Sequence, residues 1–356
     1  MSLQLILALP FFRLLFYQES KPTEKASACS VVICAHNELP NLQKNLSTIC
    51  EQQHQKYEVL IVLDRSTDGS YEWLKTQTEI YSHLKVITVD KVPNGINPKK
   101  HALKTGIAAA KFDWLLLTDA DCQPASSHWV DRMSQFDASS TQIKLGISLY
   151  EKRPGFLNLF IRFETYQTAL TYLSRALNGK PYMGVGRNLA YSKTFFLAKK
   201  GLDDIAKITG GDDDLFVNRN ANKHNTSIAF NSESITYSSP KRSWRSFIQQ
   251  KKRHLSVGKH YKLSDKIYLA SLQITTNLSW LCLILQLFTD ATAYQIIAAC
   301  MMTLRWIGQY VVYYKVSIKF GDDFKPWLLP ILELFYMFYH LIIGSIAIRS
   351  KRIQWK

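Results

Sequence analysis

The sequence predicts an α/β domain built on a mostly parallel sheet, continued by a helical membrane domain. Two observations carry this expectation. Between Ala26 and about Pro240, short apolar runs of buried-strand type alternate with amphipathic helical stretches, as in strand–helix–strand units. Beyond residue 265, three long apolar stretches follow one another, which a water-soluble core has little room for. The 356 residues are 47% hydrophobic and 20% charged, which supports a packed core and excludes wholesale disorder. Fifteen glycines and eleven prolines remove the fibrous and low-complexity classes.

Taken in order, Leu3 to Tyr17 is apolar but interrupted by Pro10 and Arg13. At ~1.5 Å per residue it falls short of a ~30 Å hydrocarbon core, so it is expected as an interfacial anchor or an abbreviated span. No basic residue precedes it, which argues against a signal peptide. With the charged linker Glu19 to Lys25 it makes an N-terminal segment, residues 1–25. The α/β domain, residues 26–239, opens with Ser30–Cys34 and continues with Val59–Leu63, Lys85–Val89 and Trp114–Thr118 as buried strands. Helical patterns over Leu42–Gln52 and His101–Lys111 lie between them. Residues 240–265 carry eight Lys and Arg and no acid before Asp265, with Trp244, Phe247, Ile248 and Leu255 near one helical face. That is the pattern of a basic helix on an anionic membrane surface, and it accounts for much of the net charge of +16 without nucleic acid.

The membrane domain, residues 266–356, contains Ile267–Thr289, Ala291–Tyr314 with Arg305, and Pro326–Ile348 with Glu333. Arg305 and Glu333 are costly in lipid and are expected to pair with each other or to line a site. With the middle of the chain cytoplasmic, three crossings would place the basic tail Arg349–Arg352 outside, against the positive-inside rule. One segment is therefore re-entrant or interfacial, or the rule fails here. Six scattered cysteines without metal-ligand spacing suit a reducing compartment.

Ligands of parallel sheets bind at the carboxyl ends of strands. Here those ends are acidic: Ala35-His36-Asn37-Glu38 after the first strand, Asp64 to Ser70 after the second, and Asp119-Ala120-Asp121 after the fourth. Two carboxylates flanking a small residue offer hard oxygen ligands to Mg²⁺ or Mn²⁺, which takes its remaining ligands from water and phosphate. Any one such motif is ordinarily a turn or a helix cap; their concurrence on adjacent strands is what points to chemistry.

The ordered set SVVICAHNE, VLDRSTDGS, NPKKHAL and LLLTDADCQP, followed by Gly210-Gly211-Asp212-Asp213-Asp214-Leu215 and Gln250-Lys251-Lys252-Arg253-His254, resembles family 2 inverting glycosyltransferases of the GT-A fold, over about Ser30 to His254. The resemblance implies a nucleotide-sugar donor bound by Ala35, Glu38, Asp64, Lys99, Asp119, Gln250 and Arg253. Asp64 would read the uracil edge, and Lys99 and Arg253 would meet the diphosphate. It implies a metal at Asp121, helped by Asp119. It makes Asp212 the general base, with Asp213 the alternative because Gly211 replaces the acidic residue that precedes the base in the family. Arg187 and Asn188, in a loop shaping the acceptor side, and His254 would face the acceptor. His254 stands where the family's QxxRW motif has Trp, which favours single-sugar transfer over processive synthesis. The resulting expectation is a multi-pass inner-membrane enzyme with a cytoplasmic catalytic domain and a lipid or glycan acceptor. A polysaccharide synthase and a catalytically silent nucleotide-sugar-binding subunit are the competing readings.

Overall fold

The computed structural model describes residues 2–19, 26–137, 139–286, 288, 292–344 and 346. The basic tail Arg349–Arg352 and most of the charged linker lie outside them. In chain order the elements are α1 (Ser2–Phe16), β1 (Cys29–Ala35), α2 (Leu39–Cys50), β2 (Tyr57–Asp64), α3 (Ser70–Ile80), β3 (Leu84–Val89), α4 (Pro98–Ala109), β4 (Trp114–Asp119), β5 (Cys122–Pro124) and α5 (Trp129–Ser134). They continue with β6 (Ile143–Leu145), β7 (Ser148–Tyr150), α6 (Phe156–Leu177), β8 (Leu189–Ser192), α7 (Lys193–Ala198), α8 (Asp214–Asn220), β9 (Thr226–Ile228), β10 (Thr236–Ser238) and α9 (Trp244–Val257). The membrane part comprises α10 (Leu263–Gln286), α11 (Thr292–Phe320) and α12 (Leu329–Tyr339), the last prolonged by a π-helical turn, His340–Gly344.

The β-branched runs behave as expected. They form a seven-stranded sheet in the order β3-β2-β1-β4-β8-β6-β9. The first four strands are parallel, and β8 runs antiparallel to both neighbours. Val31, Ile33, Val59, Ile61 and Leu116 are wholly buried on one face, under α2 and α5. Parallel pairing sets Cys34 beside Asp119 and Ala35 beside Leu63, so the acidic strand ends converge. A smaller sheet, β5-β10-β7, follows the Asp119-Ala120-Asp121 turn and frames its far side.

Helix α6 lies between this domain and the membrane helices. Phe163 and Tyr166 pack against Tyr313, Phe324 and Tyr336, while Tyr172 donates to the Gly146 carbonyl at 2.6 Å. At the turn after α11, Asp322 and Asp323 accept from the Arg162 guanidinium at 2.7 and 2.8 Å, and Tyr166 donates to Asp322 at 2.7 Å.

Among the described residues, three helices are long and apolar enough to cross a membrane: Leu263–Gln286, Thr292–Phe320 and Pro326–Gly344. Arg305 and Glu333 do pair, and Trp280 and Gln309 each donate to the same carboxylate at 3.1 Å. The N-terminal helix is inserted among these helices rather than lying flat. Gln4 bonds Thr276 and Ser279 of α10, Phe12 closes onto Gly308 of α11, and Lys319 donates to the carbonyls of Leu14, Leu15 and Tyr17.

The basic helix departs from expectation. Ser243 caps α9, but its apolar face is seated on protein. Phe247 is fully buried between Phe160 and Tyr339, Trp244 meets Phe156 and Phe160, and Lys251 turns inward to an ion pair with Glu164. Arg242 and Arg245 remain exposed.

Candidate active site

The site is assembled from six chain segments around one cavity of about 920 Å³. Glu38, Lys99, Asp119, Asp121, Arg187, Asp212, Asp213, Gln250, Arg253 and His254 all line it. Asn97 caps α4 and Pro98 opens it, which fixes the first turn and aims Lys99 at the sheet. Its Nζ stands 3.0 Å from Asp119 Oδ1 and 3.4 Å from Asp212 Oδ2. Lys99 thus bridges the two acidic motifs. Burial opposes its charge, but Asp119, Asp212 and Asp213 outweigh burial and hold the ammonium well above its ordinary pKa. The neighbouring Lys100 is instead a structural residue, fully buried and donating to the Ile205 and Ile208 carbonyls at 2.7 and 2.6 Å.

The three adjacent aspartates have separate surroundings. Asp213 accepts from the Gly186 amide at 2.5 Å and from the Asp214 amide at 2.8 Å, capping α8. Asp214 accepts from the Tyr261 hydroxyl at 3.0 Å. Burial first, then the neighbouring aspartates, raises the carboxyl pKa of both. Asp212 makes neither backbone bond, and its carboxylate meets only Lys99 among the described ion pairs. The glycine ahead of it is also explained. Gly211 has φ +75°, and a Cβ there would lie 2.8 Å from the Leu215 side chain, so an acidic residue does not fit.

Burial, then the Asp119 charge, raises the Asp121 pKa, and Asp121 joins no ion pair among the described residues. Asp119 is held below its ordinary pKa by Lys99 despite burial. No group of three or more His, Cys, Asp or Glu side chains is arranged to hold a metal by itself among the described residues. An acidic pocket with one uncommitted carboxylate still suits a divalent ion that shares its ligands with water and a diphosphate. Asp121 is the residue that would hold it, since Lys99 already engages Asp119.

On the far side, the Arg187 guanidinium stacks over Tyr150, 4.5 Å from the ring centre, and donates to Ser238 Oγ at 3.0 Å. Gln250 donates to the Tyr150 hydroxyl at 3.3 Å. The enclosing walls, then the cations Lys251, Arg253, Arg187 and Lys99, hold the His254 imidazole neutral, well below its ordinary pKa.

Three expected site residues lie elsewhere. Asn188 is wholly buried; it accepts from Trp129 Nε1 at 3.0 Å and donates to the Ile147 and Ser234 carbonyls at 2.7 Å. All these bonds tie strands and loops of the core, so Asn188 is structural. Ala35 is buried at the end of β1, outside the cavity wall that its neighbours Cys34 and His36 help to form. Asp64 is buried too, and Arg65, in a left-handed conformation at φ 51°, folds back to bond both its carboxylate oxygens at 2.8 and 3.0 Å. Glu164, Lys251 and Tyr150 line the cavity and were missed. A buried Lys within a basic run gives no signal in one sequence.

The comparisons with known proteins agree with this geometry. The profile of glycosyl transferase family 2 matches residues 30–196, and that of glycosyl transferase family group 2 matches residues 124–341. Glycosyltransferase AglE of Haloferax volcanii is 32% identical over 105 residues, 29% of this chain and 33% of its own. An undecaprenyl-phosphate 4-deoxy-4-formamido-L-arabinose transferase of Aeromonas hydrophila is 34% identical over 99 residues, 26% of this chain and 29% of its own. The chain thus spans about a third of the length of the curated relatives it matches. A mannosyltransferase of Pyrobaculum calidifontis, solved with GDP-Man and Mn²⁺, superposes with a TM-score of 0.63 at 16% identity over 99% of this chain and 96% of that one, which establishes the fold. With the fold, the acidic strand ends and both profiles in accord, the chain belongs to glycosyl transferase family group 2.

Proposed function

We propose that the chain is an inverting, metal-dependent glycosyltransferase that moves one sugar from a nucleotide-sugar to a hydroxyl of a lipid or lipid-linked acceptor. The observation that carries this reading is the continuity of the cavity, which runs from the acidic strand ends to Leu269, Leu272 and Thr276 of α10. A donor at the acids and an acceptor arriving from the bilayer would meet beside Asp212. The undecaprenyl-phosphate transferases among the relatives support a lipid acceptor by name.

In this reading Asp212 takes the proton of the acceptor hydroxyl, and no covalent nucleophile is needed. Lys99 orients Asp212 and neutralises Asp119. Arg253 and Gln250 approach the diphosphate, and Arg187 and His254 border the acceptor. A divalent ion bound at Asp121 would supply electrostatic stabilisation of the departing diphosphate.

We place the catalytic domain on the cytoplasmic face of the cell membrane with α10 and α11 as crossings. Helix α12 is better read as re-entrant, because both of its ends meet the α/β domain. Asp322 and Asp323 precede it on Arg162, and Tyr339 at its end packs on Phe160 and Phe247. The carboxyl-terminal side would then be cytoplasmic, as the positive-inside rule asks.

The test is nucleotide diphosphate release by the full chain in nanodiscs, over UDP- and GDP-sugars, with Mn²⁺ or Mg²⁺ and with or without membrane lipid. The expected result is metal-dependent release from one donor, increased by lipid and lost in Asp212→Asn. Silence with every donor and lipid would overturn the reading in favour of a silent binding subunit.

A further inference from the structure

The membrane-side arm of the cavity is polar where a bare hydrocarbon chain would want it apolar. Its wall between α6, α10 and the end of α12 carries Gln167, Thr168, Gln273, Thr276, Glu333 and His340. Gln273 and Thr276 lie about 15 and 20 Å along α10 from Leu263, well inside the depth of a hydrocarbon core. Some of these groups serve the bundle: Gln167 accepts from Tyr313 at 2.5 Å, and Thr276 accepts from Gln4 at 2.7 Å. Others do not. Among the described residues Gln273 donates only to Asn277 of its own helix, at 2.9 Å. The His340 Nε2, at the π-helical turn, is buried without a hydrogen-bond partner among the described residues. π-helical turns recur at functional sites, and orphaned buried polar atoms call for a ligand that satisfies them.

This arm is also uncharged overall. Glu164 is tied to Lys251, and Glu333 to Arg305. The other cations of the cavity, Lys99, Arg187, Lys241 and Arg253, act on Asp119, Asp121 and Glu38 at the acidic end. A polyprenyl phosphate seated with its phosphate at Asp212 would thread isoprene units past amides, hydroxyls and an imidazole. An acceptor that carries further hydroxyls behind its reacting one would satisfy them.

Resting on the transferase reading above, we infer that this arm is a binding site for the uncharged, hydroxyl-rich head group of a glycosylated lipid, rather than for a lipid phosphate. The head group hydrogen-bonds Gln273 and His340, and its acyl chains leave between α10 and α12.

The full chain in phosphatidylcholine nanodiscs is titrated with dansyl-labelled glucosyl-diacylglycerol, and energy transfer from the tryptophans reports binding. Saturable binding is expected, displaced by unlabelled glucosyl-diacylglycerol and not by undecaprenyl phosphate at equal mole fraction. Gln273→Leu should weaken it about fivefold, the loss of one net hydrogen bond, and Gln273→Asn should recover part. Displacement by soluble maltose as well would support the hydroxyl-rich ligand and assign a free saccharide as its source. Displacement by undecaprenyl phosphate, or no saturable binding, overturns the proposal, and the wild-type competition decides even if the Leu variant misfolds. Binding without nucleotide release from any donor would refute the transferase and leave the site; release without such binding would do the reverse.

Discussion

Lys99→Met tests the centre of the site. The ammonium stands 3.0 Å from Asp119 and 3.4 Å from Asp212. At an effective dielectric of about 20, each contact is worth about 5 kcal/mol of Coulomb attraction before desolvation. Much of that is offset, because the Asp119 side chain keeps 32% of its surface open and the lysine no longer has to be buried. The expected net loss is about 3 kcal/mol, at the low end for leaving a buried charge unpaired. It should depend on pH. Lys99 now holds Asp119 below its ordinary pKa against burial; without it, burial dominates and the folded-state pKa rises above the unfolded value. A carboxyl raised on folding costs stability as pH climbs from its unfolded pKa of about 4 through its folded pKa. The penalty relative to the parent is therefore smallest near pH 5 and full at pH 8. Thermal unfolding in nanodiscs, followed by tryptophan fluorescence, should fall by roughly 5–8 °C at pH 8. An equal shift at both pH values, or none at pH 8, would refute the bridging role of Lys99.

The remaining expectations concern residues whose roles the geometry separates. Asp212→Asn should lower transfer by about 10³-fold with unfolding temperature nearly unchanged, because relief of the repulsion between Asp212 and buried Asp213 offsets the lost Lys99 contact, whereas Asp213→Ala should cost about 1 kcal/mol through the lost α8 cap. Paired rate and melting measurements check both, and the opposite pattern would make Asp213 the base. Asp121→Ala should raise the Mn²⁺ concentration for half-maximal activity by about tenfold, roughly 1.4 kcal/mol; an unchanged midpoint in a metal titration would remove Asp121 from the metal. Arg305→Met should cost about 3–5 kcal/mol, and adding Glu333→Leu should recover at least half of it, because a buried pair is costly chiefly when broken from one side. Melting of the single and double variants decides, and a double variant worse than the single would show that Trp280 and Gln309 depend on Glu333.

The sheet and its acidic edge were legible because both are local. β-branched runs specify buried strands, and parallel pairing carries the residues that follow them to one edge. The placing of Asp119 and Asp121, at the end of β4, follows from that. What a single sequence could not give was direction. Asn188, next to Arg187, was expected to face the acceptor, but the turn before β8 sends it into the core while Arg187 faces the cavity. Lys251 looked like one more solvated cation until the Glu164 carboxylate, 87 residues away, gave it a buried partner. The helix before the first strand was too short to span alone, yet Gln4, Phe12 and the Lys319 contacts insert it among longer helices. Arg305 and Glu333 were the exception among long-range pairs, because lipid leaves an isolated charge so few alternatives.

Helix α6 makes the border between enzyme and anchor a shared one. Its Phe160, Phe163 and Tyr166 have one side under the sheet and the other against α11 and α12. A chain cut at residue 239 would keep every acidic motif and still lose the cover of that aromatic row. The catalytic half is therefore no detachable head on a tether: a fragment without the helices would expose to water the aromatic row that packs on them.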